Sequence, residues 1–167
     1  MKINRTLYML RLAVCLVFSG CLSQAVAQYG DWKHSGSIYL VTTSAGANLP
    51  ASALETNFPL LVRLNKNFFD FSQAKPRGED IRFSANGKPL FYQIERWDAA
   101  GGNADIWVRI PKIMGNDQQA ITIHWGNSKI PSESNGERVF KTIEGFAGVW
   151  HLGCLLYTSD AADDALS

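Results

Sequence analysis

Residues 78–111 read GEDIRFSANGKPLFYQIERWDAAGGNADIWVRIP, and the division of that stretch decides the fold. Three segments, DIRFS, PLFYQIERW and ADIWVRIP, alternate apolar with polar side chains. The apolar sets are Ile81 and Phe83, then Leu90, Tyr92 and Ile94, then Ile106, Val108 and Ile110. A period of two predicts half-buried strands. Ala85-Asn86-Gly87-Lys88 separates the first two, and Asn86-Gly87 tolerates the positive φ of a tight hairpin. Asp98–Asn103, with Gly101 and Gly102, separates the last two. The expectation is a meander of three antiparallel strands. Its other face carries Arg82, Phe91, Gln93, Glu95, Trp97, Trp107 and Arg109, too aromatic a set to be only solvated.

Outward from the meander the same alternation recurs. Ser37–Thr43 (Ile38, Leu40), Phe58–Leu64 (Leu60, Val62, Leu64) and Ala120–Gly126 (Ile121, Ile123, Trp125) read as further strands. Ser44–Asn57 reads as a surface loop with one helical turn around Ala51–Leu54. Phe68, Phe69 and Phe71 read as a core plug beneath a turn, and Lys112–Gln119 as a turn-rich bridge. Six strands in about a hundred residues, with no long amphipathic helix, predict an all-β protein, an antiparallel β-sandwich of jelly-roll-like type.

The chain has 167 residues and a formal charge of +1, with both signs interspersed. A nucleic-acid partner, which calls for a basic stripe, is not expected. Residues 1–27 have the pattern of a secretory signal: Lys2, Arg5 and Arg11, then apolar Leu12–Phe18, then Ala25-Val26-Ala27. The apolar run falls short of the roughly 20 residues of a membrane span. Phe18-Ser19-Gly20-Cys21 resembles a bacterial lipobox, a competing reading in which Cys21 is lipidated. Either reading places the domain outside the cytoplasm, in the periplasm, on the outer-membrane surface or secreted. Membrane attachment would come through a lipidated Cys21 or a region beyond the C-terminus. Residues 28–127 are then the sandwich, 128–139 a linker carrying Pro131, and 140–152 the start of a following domain. Residues 153–167, GCLLYTSDAADDALS, break the preceding pattern and read as a non-native tail.

The chemistry-bearing residues are few. A glycosidase needs two carboxylates about 5 to 10 Å apart, and Asp80 and Glu95 could meet across adjacent strands. The plainer reading closes a turn with Asp80 and pairs Glu95 with Arg82 or Arg109. His34, His124 and His151 lack metal-ligand spacing, so neither metal nor cofactor is expected. No nucleophile elbow, phosphate loop or dinucleotide fingerprint occurs. Trp97, Trp107, Phe91 and Trp125 remain as candidate ligand contacts. A row of aromatic faces binds sugar rings, or the same rings cover a sheet that docks on the next domain.

Four motifs in order carry a family resemblance: Gly78–Phe83, Leu90–Trp97, Ala104–Pro111 and Ile123–Asn127. They resemble the bacterial family called domain of unknown function 2341, over roughly Tyr39 to Asn127. His124-Trp125 stands where the family has an aromatic pair before Gly-Asn. Gly148–Leu152 looks like the opening of a concanavalin A-like, laminin-G-type domain, which often follows in that family. Some relatives continue into a MotA/TolQ/ExbB-type proton-channel segment. The resemblance implies no catalytic residues. It marks Asp80, Arg82, Glu95, Arg109, Gly126 and Asn127 as motif positions with structural roles. The function expected is a non-catalytic, extracytoplasmic module of a larger protein, binding polysaccharide or envelope protein. A docking domain of a proton-channel assembly is the alternative, and a glycan-active enzyme the second alternative.

Overall fold

The computed structural model describes residues 28–141 and residue 145. The expected signal segment with Cys21, the expected next domain beyond Lys141 (Gly145 aside) and the expected tail lie outside the described residues. Residues 28–30 are the described end of a first unit, a turn; the rest belongs to a second unit, Asp31–Ser167.

Among the described residues of that second unit seven strands follow one another: β1 (His34–Val41), β2 (Leu54–Asn65), β3 (Arg82–Ala85), β4 (Lys88–Leu90), β5 (Tyr92–Asp98), β6 (Asn103–Met114) and β7 (Gln118–Trp125). A 3-10 turn at Phe71–Gln73 and one helical turn, α1 (Gly136–Val139), complete the described elements. The strands form two antiparallel sheets, ordered β1-β7-β3-β4 and β2-β6-β5. The protein is a β-sandwich. Ile81, Phe83, Leu90, Tyr92, Ile106, Val108, Ile110, Ile121 and Ile123 are all buried in one core, as their alternation predicts.

The expected three-stranded meander is the main correction. PLFYQIERW is not one strand: β4 pairs with β3 in the first sheet, and β5 pairs with β6 in the second. The chain changes sheets at Phe91, whose carbonyl still accepts from the Arg109 N–H at 2.9 Å. Leu90 and Tyr92 point into the same interior from opposite sheets, so alternation continues unbroken through the crossing. A corner of this kind is how strands pass between the layers of a sandwich. Pro89, which has no N–H to give, sits on β4 at the edge of its sheet.

A bulge in β5 makes the second correction. Ile94 pairs with Ile106, but Arg96 pairs with Asp105, so Glu95 is the extra residue. The shift flips parity, and Trp97 lies opposite buried Ala104 rather than on the outer face. There Trp97 meets Phe71 and Phe69 edge-on, at 5.1 and 5.9 Å between ring centroids. Gly78, at φ +71°, lets the indole approach the backbone; a Cβ there would stand 2.7 Å from the ring. Of the expected phenylalanine plug, Phe69 and Phe71 are buried and Phe68 is 65% exposed.

β2 starts at Leu54, inside the stretch expected as a loop and helical turn, because β6 runs on to Met114 and offers it a partner. The ladder keeps its register where Asn57, at φ 56°, lies opposite Pro111, which has no N–H to donate. The expected bridge at Lys112–Gln119 shrinks to a tight turn between β6 and β7.

Candidate functional site

Two groups of residues from the family-like motifs come together, and they do different things. The first is a buried clamp. Asp80 is 1% exposed, and its Oδ1 accepts from the Lys75 N–H at 2.8 Å. Its Oδ2 accepts from the N–H groups of Gly126 and Asn127, at 2.7 and 3.1 Å. The carboxylate thereby joins the loop before β3 to the loop after β7. Its backbone carbonyl accepts from the Trp32 indole at 2.7 Å. Gly126 takes φ +93°, and a Cβ there would come 2.7 Å from the His34 ring, which stacks on Trp125.

Arg82 is the other half of the clamp. Its Nη1 donates to the carbonyls of Glu79 and Ile81 and to the Tyr92 hydroxyl, and its Nη2 donates to the carbonyl of Pro131. Glu133 stands 3.1 Å away as its ion-pair partner. The stretch 128–135, expected as a linker, is held down at these points. It continues along the outer edge of β5, where Ser134 Oγ accepts from the Ile94 N–H and the Asn135 N–H donates to the Tyr92 carbonyl. Burial pushes the Tyr92 hydroxyl pKa up; the Arg82 charge beside it acts the other way.

His124, outward on β7, has Nε2 2.9 Å from Ser84 Oγ. Burial pushes its pKa below the ordinary imidazole value. The unfolded chain therefore takes up this proton at a higher pH than the folded one. Stability is at its full value above the ordinary imidazole pKa and is lost as pH falls toward the folded one. Denaturation midpoints followed from about pH 7.5 down to about pH 5 are expected to fall, and to fall less in His124→Asn.

The second group lies on the outer face of the three-stranded sheet. β6, the central strand, places Trp107 and Asp105 outward; β2 contributes Leu61 and Arg63 beside them, and β5 contributes Glu95 and Arg96. With Asn65 and Asn103 these residues line a groove of about 490 Å³. The Trp107 Nε1–H donates to Glu95, and Phe140 meets the indole edge-on at 5.5 Å. α1 packs against β5 and β6. The Arg138 carbonyl accepts from Arg109 Nη1, and the Arg138 guanidinium lies 4.9 Å over the Phe91 ring. Gly136 sits so close that a Cβ would stand 2.6 Å from Gln93.

The four candidate aromatics thus do not form one row. Trp107 and Phe91 lie on this outer face, whereas Trp97 and Trp125 pack with Phe69 at one end of the sandwich. Asp80 and Glu95 do not meet: one belongs to the buried clamp before β3, the other to the bulge of β5 in the opposite sheet. Arg63, Arg96, Asn65 and Asn103 escaped the sequence reading. Arg63 was within reach, as an outward residue between inward Val62 and Leu64; Arg96 was not, because only the bulge sets its side.

A second concavity, about 640 Å³, opens between β1 and β2, the two strands at one side of the sandwich. Ile38, Leu40, Leu60, Val62, Leu64 and Ile113 make it mainly apolar, with fewer converging polar groups than the Trp107 groove. Among the described residues no three His, Cys, Asp or Glu side chains come together as metal ligands, and no helix is long and apolar enough to cross a membrane.

Residues 77–153 match the family described as a domain of unknown function (DUF2341). The match includes Asp80, Arg82, Gly126 and Asn127 of the clamp, β5 and β6 of the groove, the tethered stretch and α1; Lys75 and β2 with Arg63 precede it. No match is found among curated proteins or solved structures.

Proposed function

We propose that this domain is a non-catalytic binding module for glycan, working outside the cytoplasm as part of a larger protein. The observation that carries the reading is the Trp107 groove. An indole beside Asn, Asp, Glu and Arg side chains offers an apolar wall for the C–H face of a sugar and planar polar groups for its hydroxyls. Of the carboxylates in residues 78–111, Asp80 accepts from three backbone N–H groups, Asp105 pairs with two arginines, and Glu95 accepts from the Trp107 indole. That leaves binding, rather than acid and base work on a sugar, as the chemistry the geometry favours. The export pattern of residues 1–27 supports the location.

The test is retention of the full chain on insoluble polysaccharides. Trp107→Ala is expected to weaken retention roughly tenfold, the loss of one aromatic anchor. Tyr39→Ala, on the β1 edge and 61% exposed, is expected to leave it unchanged. Retention that survives Trp107→Ala, or no retention on any polysaccharide, would count against the reading.

A further inference from the structure

Asp105 and Trp107 leave the same face of β6 two residues apart, so their side chains start about 7 Å from each other. Arg63 and Arg96 reach Asp105 from the flanking strands. Arg63 Nε is 3.5 Å from Oδ1, and Arg96 Nε is 3.3 Å from Oδ2. Both arginines meet the carboxylate through Nε. Among the described residues neither makes a hydrogen bond through its terminal nitrogens. The two side chains are 77% and 59% exposed, and Asp105 between them 28%. The terminal fork of a guanidinium is the part that matches a carboxylate in two parallel hydrogen bonds. Asp105 is then a positioning residue that turns both forks outward, one indole away from the stacking surface. Glu95, the groove's other acid, is engaged by the Trp107 N–H.

We infer that the groove selects acidic glycans, those carrying carboxylates such as uronic acids. The Trp107 wall takes a ring, and the Arg63 and Arg96 forks take the carboxylate of that ring or its neighbour. This rests on the glycan-binding reading above and adds the ligand's charge to it. Because the lining also holds Glu95 and Asp105, the selection comes from close hydrogen bonding more than from a long-range field.

The experiment is affinity electrophoresis of the full chain in gels containing polygalacturonate or, separately, neutral dextran or hydroxyethyl cellulose. The wild-type chain is expected to be retarded more strongly by polygalacturonate, and less so as salt rises. The Arg63→Ala/Arg96→Ala double variant is expected to lose about tenfold in affinity for polygalacturonate and nothing on the neutral gels. Arg63→Lys/Arg96→Lys keeps the charge and loses the forks, so it is expected to recover only part of that loss. Circular dichroism melting checks that both variants fold. Equal retardation by acidic and neutral gels, equal losses on both, or full recovery with lysine would overturn the selection by guanidinium forks. In those cases a Trp107→Ala loss keeps the glycan reading standing. No retardation of the wild type by any gel would remove both.

Discussion

Replacing Asp80 by alanine is expected to lower folding stability by about 4 kcal/mol, read as a fall in the denaturant midpoint at unchanged slope. Three backbone donors, on Lys75, Gly126 and Asn127, converge on this one carboxylate in a site that is 1% exposed. None has another acceptor in place when the side chain goes, and each buried, unmet N–H costs about 1–3 kcal/mol unless water reaches it. Asp80→Asn keeps one carbonyl oxygen and is expected to lose about half as much. A change below about 1 kcal/mol in the alanine variant would show that the loops before β3 and after β7 hold together without the carboxylate.

Arg82→Met comes next, at about 3 kcal/mol. Methionine keeps the apolar stem and removes every guanidinium bond: those to the Glu79, Ile81 and Pro131 carbonyls and to the Tyr92 hydroxyl. The Glu133 carboxylate left behind is 68% exposed, so water takes its charge and the loss comes from the buried acceptors. The local consequence separates this variant from Asp80→Ala. Stretch 128–135 loses two of its ties, at Pro131 and Glu133, while the 126–127 loop keeps its own. Hydrogen exchange at Glu133, Ser134 and Asn135 is therefore expected to accelerate far more than at Gly126 and Asn127, by about a hundredfold. Equal acceleration at both places would mean that the tethered stretch and the loop open as one unit.

The alternation of Ile81, Phe83, Leu90, Tyr92, Ile106 and Val108 was enough to read strands and a buried face, and from these the sandwich follows. It could not show that the chain changes sheets at Phe91. A residue aimed at the interior of a sandwich has the same parity from either layer, and the two sheets share one core. The bulge at Glu95 was equally silent, since one extra residue reverses parity with no mark in a run of polar and aromatic side chains. That single step moved Trp97 inward and set the side of Arg96. The clamp was legible as residues but not as connections. Asp80 and Arg82 stand out in the sequence, yet their partners Gly126, Asn127, Pro131 and Glu133 lie more than forty positions away. Bonds to backbone N–H and carbonyl groups leave no trace in side-chain identity. The Trp107 groove was half legible: the indole and Glu95 were candidates, while Arg63 and Asn65 belong to a strand read only for its apolar side.

The most direct test of the account is a backbone amide NMR titration of the full chain with soluble oligosaccharides cut from whichever polysaccharide retains it. The expected shifts cluster on the outward residues of β2, β5 and β6 around Trp107, at Arg63, Glu95, Arg96 and Asp105, and leave the β1 edge at Tyr39 unmoved. Shifts confined to the cleft between β1 and β2, at Ile38, Leu40 and Leu60, with Trp107 and its neighbours silent, would contradict it.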